Sequence, residues 1–448
     1  MGSLHFALPS SDRDAIWWTV SSAAALRLAG SSVRRIYGHV AFKDKGGGFV
    51  SRSDLAMSLP TSKPHLQYID CLRGYAVLLV ITIHLTYTVP QLPYPVARIT
   101  SMGWYGVQLF FLMSAFTLLS SWNAELHRAG SVNVVNFFVR RYLRIAPAYY
   151  LAAFMYYFLR PPQSGFDTAQ LLATLTFVNG WHPYLMPTVT TRWYVVPGGW
   201  SIGVEFAFYA LLPIMASLIT NLRRAILGVF LVIIIGLLCN LIALNYFSKE
   251  FDPDVVSNFL YYWLPNELPV FFLGFALYYA IGDSSPRSVN LLRHLAHYRY
   301  GIAGIATVAY FAASYLRLGH FIGDGLKLPE TLYIVFPLMA FIVALASGPT
   351  LFVNKAVQEM GKVSFSAYLL HFAVLELLPH YPGLFGTSAT GIPAIMHFGT
   401  DWVFVVATTF LLAAIQYRLV ELPGNNLARK ITTLRTTRQL AARPAQNG

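Results

Sequence analysis

Residues 225–247 read AILGVFLVIIIGLLCNLIALNYF, a long and mostly apolar run that contains no charged side chain. A helix needs about 20 consecutive apolar residues to cross the hydrocarbon core of a bilayer. Within lipid the backbone must satisfy its own hydrogen bonds, which an α-helix does within a single segment. This stretch therefore predicts a membrane-spanning helix and places the chain among the helical membrane proteins.

The composition of the whole chain agrees with this interpretation. Of its 448 residues, 56% are hydrophobic and 11% are charged, whereas soluble domains carry about 25% charged residues. The formal charge of +13 does not indicate nucleic-acid binding, because the basic residues are scattered between apolar runs. The two cysteines, Cys71 and Cys239, are too few for a disulfide framework.

Apolar runs alternate with short polar connections from residue 72 onward. We predict an all-α, polytopic membrane bundle of about ten transmembrane helices. The predicted spans are 72–89, 104–121, 145–159, 200–219, 225–247, 259–281, 300–316, 331–346, 364–378 and 398–417. If they alternate from a cytoplasmic amino terminus, the inner connections and tail hold 17 Lys and Arg, and the outer connections hold six. Basic residues collect on the cytoplasmic side, so both termini are predicted to be cytoplasmic.

Three regions are predicted along the chain. Residues 1–64 are polar and rich in Ser, Gly and basic side chains, which favours a loosely ordered cytoplasmic arm. The apolar run 15–26 within it is too short to span a bilayer and lacks the basic flank of a signal peptide. Residues 65–423 are predicted to form the transmembrane domain, and residues 424–448 a basic cytoplasmic tail.

Two ionisable side chains of the first span, Arg73 and His84, lie eleven residues apart. At about 100° per residue their directions differ by about 20°, and a rise of about 1.5 Å per residue separates them by about 16 Å. Ionisable groups within a membrane are costly and often mark a functional site. One helix face therefore offers a cation near the cytosol and a titratable base beyond the midplane. The structural alternative is a snorkelling arginine and a packing histidine.

Two further spans carry ionisable side chains. Glu205 lies in the fourth span, with Tyr209 one turn further along. From its place in the span we expect it at a depth comparable with His84. An acid–imidazole pair is then one interpretation, and an interfacial carboxylate in contact with water is the other. His371 in the ninth span is interpreted as a hydrogen-bonded packing histidine.

A cluster of three arginines, Arg140, Arg141 and Arg144, precedes the third predicted span. One interpretation is the ordinary cytoplasmic excess of positive charge in contact with anionic headgroups. The other is a phosphate-binding site, because a guanidinium binds phosphate through two parallel hydrogen bonds. The sequence contains no P-loop, zinc-binding His-Glu-x-x-His or Gly-x-Ser-x-Gly motif.

Six sequence blocks, in this order, resemble motifs of the acyltransferase-3 family of integral-membrane acyltransferases. They are 69–74 (IDCLRG) with its Arg-x10-His spacing, 106–116 (GVQLFFLMSAF), 140–147 (RRYLRIAP), 200–209 (WSIGVEFAFY), 361–371 (GKVSFSAYLLH) and 420–423 (VELP). Ala115 stands where the family usually has Gly. Each block alone is weak, but six in order across residues 68–423 form a specific signature.

This resemblance implies a multi-pass O-acyltransferase of the plasma (inner) membrane, similar to O-antigen and polysaccharide O-acetylases. The implied co-substrate is a cytosolic acyl-CoA, usually acetyl-CoA. The implied acceptor is a hydroxyl of a glycan, such as a surface polysaccharide or lipopolysaccharide, or of a small molecule. Neither a bound cofactor nor a metal is expected, and the other expected partner is membrane lipid.

The resemblance also assigns expected roles to residues. His84 is the expected general base, and Glu205 is expected to orient it. The phosphates of coenzyme A are expected to bind Arg73, Arg141 and Arg144. Supporting positions are Asp70, Ser114, Trp200, Ser201, Tyr209 and His371.

The sequence leaves one alternative from another functional class open. A transporter or flippase of a lipid-linked or anionic substrate could use the same histidine and carboxylate as a proton relay. A helical scaffold without chemistry would not explain why Arg73 and His84 share one helix face.

Overall fold

The computed structural model describes residues 67–89, 91–162, 167–186, 195–315, 331–378 and 389–441, and the predicted arm 1–64 lies outside them. These ranges are predominantly helical and contain no β-strand, which confirms the predicted all-α class. The α-helices are α1 Gln67–Thr86, α2 Tyr94–Thr100, α3 Gly106–Ala129, α4 Val134–Leu159, α5 Thr168–Leu175, α6 Gly199–Leu218, α7 Leu222–Phe247, α8 Pro253–Tyr262, α9 Leu264–Leu277, α10 Pro286–Leu295, α11 Arg299–Tyr315, α12 Thr331–Ala346, α13 Lys355–Lys362, α14 Ser364–Leu375, α15 Ile392–Gln416 and α16 Leu422–Ala441. Short 3₁₀ turns occur at Ser101–Tyr105, Asn179–Trp181 and Pro183–Leu185, and π-helical turns at Tyr278–Gly282 and Tyr417–Glu421.

The described helices include six stretches that are long and apolar enough to cross a membrane. Helix α7 leaves Phe230, Leu241 and Ile242 60%, 65% and 69% exposed. A large apolar surface is unfavourable in water and is expected against lipid, so the chain is a multi-pass membrane protein. Every predicted span overlaps a described helix, although the span 259–281 covers parts of both α8 and α9. The count of ten and the placement of the termini stay predictions. The six stretches are Gln67–Thr86, Tyr94–Ala129, Gly199–Leu218, Leu222–Phe247, Pro253–Gly282 and Ile392–Thr437.

Helix α4 begins earlier than the predicted third span. The Asn133 side chain caps its amino terminus by accepting a hydrogen bond from the backbone N–H of Asn136 at 3.0 Å. The sequence predicts a start at 145 because charged residues interrupt the apolar pattern before it. The three arginines of the cluster therefore lie within α4, one to three turns after its start.

The carboxyl-terminal helix extends beyond the predicted membrane domain. Helix α15 continues through the π-helical turn at Tyr417–Glu421 into α16, so residues 424–441 of the predicted tail are helical. The Asn136 side-chain amide of α4 donates a hydrogen bond to the Thr436 hydroxyl of α16 at 3.2 Å. Packing against α4 thus explains a helix that the low hydropathy of this segment does not predict.

Two glycines allow α1 to pack closely against α13. A Cβ atom added at Gly361 would lie 1.7 Å from the backbone oxygen of Asp70, and one added at Gly74 would lie 2.4 Å from that of Val357. Small residues at helix interfaces permit such close approach inside membranes. The close contact fixes α1, and with it Arg73 and His84, relative to α13 and the following helix α14.

Helix α6 begins inside the bundle rather than at its surface. The preceding residues Val195 and Val196 are only 1% and 6% exposed. Gly198 has φ +73°, and its carbonyl oxygen accepts a hydrogen bond from the Tyr368 hydroxyl at 2.9 Å. An added Cβ there would lie 2.9 Å from the Tyr368 hydroxyl oxygen, so both conformation and space favour glycine. The first turn of α6 is therefore buried and held against α14.

Candidate functional site

Two neighbouring cavities lie between the helices that carry the predicted site residues. We call the first the arginine cavity, because it is lined by Arg73, Arg141 and Arg144, and its volume is about 90 Å³. We call the second the histidine cavity, because it is lined by His84, and its volume is about 330 Å³. The two cavities share the lining residues Val107 and Tyr368 and therefore adjoin.

The arginine cavity gathers cations from two helices. Arg73 of α1 donates a hydrogen bond to the Thr117 hydroxyl at 3.3 Å and lies 3.9 Å from the Asp70 carboxylate. Arg141 of α4 lies over the Phe137 ring, and its Nε–H is buried without a hydrogen-bond partner among the described residues. Buried donors are nearly always paired in native proteins, so this one indicates a missing acceptor. A bound anion would supply such an acceptor.

The structure separates the members of the predicted arginine cluster. Arg141 and Arg144 line the arginine cavity, whereas Arg140 donates a hydrogen bond of 2.6 Å to the Glu125 carboxylate and lies outside the lining. Two consecutive residues of a helix point about 100° apart, which explains why neighbouring arginines have different surroundings.

Glu205 belongs to the arginine cavity and not to the histidine cavity. Its Oε1 accepts a hydrogen bond of 2.6 Å from the Ser114 hydroxyl and another from the Tyr209 hydroxyl. It lines the arginine cavity with these two partners, while His84 lines the other cavity. The structure therefore does not bring together the predicted acid–imidazole pair. Gly198, directly before α6, lines the histidine cavity, and the seven residues from there to Glu205 carry the carboxylate about 10 Å further along the helix to the arginine cavity.

Aromatic side chains form much of the wall of the histidine cavity. His84 itself is half-buried, and its ring lies 4.4 Å from that of Phe372 between centroids. Arg160 lines the cavity as well and forms an ion pair with Glu376, which lies at the end of α14. Flat apolar rings combined with a few polar groups favour the binding of a small organic molecule, and the volume lies within the usual range. The aromatic lining residues are Tyr87, Trp104, Trp200, Tyr262, Tyr368 and Phe372.

Tyr368 forms the boundary between the two cavities. Its hydroxyl donates to the carbonyl oxygen of Gly198 and lies 2.8 Å from the Ser201 hydroxyl, which also contacts that carbonyl at 3.1 Å. These hydrogen bonds join α14 to the buried start of α6. The side chains of Arg73 and His84 thus lie on either side of one polar junction, in adjoining spaces.

The remaining predicted site residues lie in or beside the two cavities. Trp200 lines the histidine cavity and Ser201 the arginine cavity, while Asp70 is buried at the contact between α1 and α13. His371 is fully buried, and its ring centroid lies 5.3 Å from that of His84. It lines neither cavity but packs behind the histidine that does.

Sequence reasoning missed several residues that line the cavities. Tyr368 lies within the block 361–371 but resembles an ordinary apolar-helix tyrosine in the sequence. Trp104 and Tyr262 look like interfacial aromatic residues, and Arg160 like a charge at a helix end. These residues belong to different elements and meet only through the packing of the bundle, so no sequence signal links them.

Comparison with known proteins gives related sequences. O-acetyltransferase OatA of Staphylococcus aureus strains NCTC 8325, COL and MRSA252 is 24% identical over 389 residues in each case. The alignment covers 81% of this chain and 57% of the relative, so the chain spans little more than half the length of these curated relatives. No solved structure matches significantly.

The family model described as an acyltransferase domain matches residues 66–418, which include α1 to α15 and every residue placed above in the two cavities. The blocks that suggested the resemblance lie within this match or directly after it. The match covers far more than half of the chain, and the protein therefore belongs to the acyltransferase-3 family.

Proposed function

We propose that the protein is a membrane O-acyltransferase that moves an acetyl group from acetyl-CoA to a hydroxyl of a glycan. The observation that carries this proposal is the pair of adjoining cavities, one cationic and one aromatic with a histidine, in a chain of an acyltransferase family. The similar O-acetyltransferases support acetyl as the transferred group.

The arginine cavity is the proposed donor site. Three guanidiniums face two nearby carboxylates, so the cavity favours a polyanion such as the phosphates of coenzyme A. We place the phosphates at the arginines that line this cavity, with the pantetheine arm passing Tyr368 towards the histidine cavity. The distance from Arg73 to His84 along α1, about 16 Å, is comparable with the length of that extended arm.

The histidine cavity is the proposed acceptor site. The apolar face of a sugar ring packs well against flat aromatic side chains, and its hydroxyls then point towards polar groups. The volume of about 330 Å³ is sufficient for one sugar ring beside the thioester. Because Arg160 is also in the lining, a neighbouring polar substituent of the glycan has a partner at the same site.

The proposed reaction is a direct transfer between the two sites. The neutral imidazole of His84 takes the proton of the acceptor hydroxyl as its oxygen attacks the thioester carbonyl carbon. A new C–O bond forms, the C–S bond breaks, and the thiolate of coenzyme A leaves. The imidazolium returns its proton to this thiolate, so the products are an O-acetyl ester and free coenzyme A. A histidine base typically contributes about 10²–10⁴-fold to such a rate.

The test is transfer of radiolabelled acetyl groups in membranes that contain the protein. Label should enter the glycan fraction in an alkali-labile ester while free thiol is released in equal amount. The His84→Ala variant should lose both activities, whereas His297→Ala, at an exposed histidine outside both cavities, should retain them. Full transfer by His84→Ala would end the proposed mechanism.

The same assay separates the enzyme from a transporter. Movement of a lipid-linked or anionic substrate across proteoliposomes without release of thiol would contradict the proposal. Family membership favours the transferase, because the matching model describes an acyltransferase domain.

A further inference from the structure

His371 holds its ring in one orientation through a bond to its own helix. Its side chain is 0% exposed, and Nδ1 lies 2.7 Å from the carbonyl oxygen of Tyr368, one turn earlier in α14. A carbonyl oxygen can only accept, so Nδ1 must carry the proton and donate it. In the neutral ring Nε2 is then left with a lone pair and without a proton.

That lone pair is unused among the described residues. Nε2 of His371 is buried and has no hydrogen-bond partner there, although a buried acceptor normally finds one. The neighbouring ring is that of His84, with 5.3 Å between centroids and an interplanar angle of 40°. Rings at this separation can bring one nitrogen of each to about 3 Å, which is a normal hydrogen-bond length.

Phe372 limits the ways in which these two imidazoles can move. Its ring centroid lies 4.4 Å from that of His84 and 4.1 Å from that of His371. The three rings therefore form one packed group on the wall of the histidine cavity. His84 does not donate to Nε2 of His371 in the structure, so a hydrogen bond between them requires the His84 ring to turn within this group.

We propose that His371 is the positioning residue of His84: its Nε2 accepts the N–H of His84 and so keeps the opposite nitrogen of His84 unprotonated and facing the acceptor. This inference rests on the proposed function, in which His84 is the base. It assigns to a histidine the orienting role that sequence reasoning gave to Glu205. A neutral acceptor suits this place, because the bond strengthens when His84 becomes an imidazolium. The proton itself stays on His84 until the thiolate takes it.

His371 is expected to raise the population of the productive tautomer of His84 and to hold the His84 ring in its orientation. Loss of an equivalent hydrogen-bond partner behind a metal-bound histidine typically costs about 10–100-fold in activity. We expect a loss of similar size in kcat here. Because His371 lines neither cavity, the KM for acetyl-CoA should remain within about twofold.

Glutamine and leucine at position 371 distinguish positioning from packing. The glutamine side chain is long enough to present a carbonyl oxygen near the place of Nε2, whereas leucine fills the space with no acceptor. We expect His371→Gln to retain kcat within about fivefold and His371→Leu to lose about 10–100-fold. A packing role predicts the reverse order, since a buried amide is less favourable than leucine among apolar neighbours. That reversed order, or equal kcat in both variants, would overturn the proposal.

A double variant keeps the test valid if one substitution impairs folding. When His371 acts through His84, adding His371→Leu to His84→Ala should not lower the residual rate further. An additional loss in the double variant would show an independent role and would contradict the proposal. Size-exclusion profiles and melting temperatures in detergent check that each variant is folded. Loss of transfer in the wild-type protein would instead refute the proposed function, so the two failures are distinguishable.

Discussion

Replacing Arg141 with glutamine would test the donor site through one guanidinium. Arg141 lines the arginine cavity, and its buried Nε–H has no partner among the described residues. A hydrogen bond that involves a charged group contributes about 1.5–3 kcal/mol. Because about 1.4 kcal/mol corresponds to a tenfold change in an equilibrium constant, Arg141→Gln should raise the dissociation constant of coenzyme A about 10- to 140-fold. The kcat for transfer should change little, since phosphate binding is the same in the ground and transition states.

The preceding residue provides the matched control for this prediction. Arg140→Gln removes the same charge one residue away, but Arg140 pairs with Glu125 and does not line the cavity. A partly exposed ion pair contributes about 0–1 kcal/mol to stability, so the affinity for coenzyme A should stay within about twofold. Titration calorimetry on detergent-purified protein measures both constants without any acceptor. Equal weakening in the two variants would refute the reasoning, because it would show that only overall positive charge matters.

Three further predictions concern packing, the acceptor site and the carboxylate of the donor site. Gly361→Ala places a Cβ 1.7 Å from a backbone oxygen of α1, so it should destabilise the protein by about 1–3 kcal/mol and lower its melting temperature. The control Gly304→Ala, where nothing lies within 4 Å of the added atom, should leave the melting temperature unchanged. Trp104→Ala should raise the KM for the acceptor about tenfold, because about 1.4 kcal/mol of apolar contact is lost. The affinity for coenzyme A should stay unchanged. A change in the affinity for coenzyme A alone would contradict the assignment of the two cavities. Glu205→Gln keeps an oxygen that accepts hydrogen bonds and should alter the KM for acetyl-CoA more than kcat; a selective loss of kcat would support the original pairing with His84 instead.

The positions of the helices were predictable from the sequence because hydropathy reports burial in lipid directly. The run at 225–247 corresponds to α7, and its exposed leucine and isoleucine side chains need no tertiary partner to be stable in a bilayer. Boundaries were less predictable where another element supplies the stabilisation. Helix α4 starts before its apolar run because Asn133 caps it, and α16 continues past its apolar run because it packs on α4.

The separation of Arg73 and His84 was also accessible from the sequence, since the repeat of a helix fixes both the angle and the rise between two of its residues. The structure places them in two adjoining cavities. Their proposed chemical roles depend on neighbours from other helices, which the spacing does not reveal. The roles therefore remain proposals that the variants above can test.

The sequence by itself determined that this chain forms membrane helices, that it carries the motif blocks of its family, and that one face of α1 holds Arg73 and His84. Only the tertiary structure decided that Glu205 lies with the arginines, that Arg140 is separated from Arg141, and that His371 packs against His84. The physical reason is the solvent. Lipid stabilises any apolar face in almost the same way, so the rotation and depth of a helix are set by close contacts and hydrogen bonds with other helices. Those partners are distant in the sequence and meet only in the folded bundle.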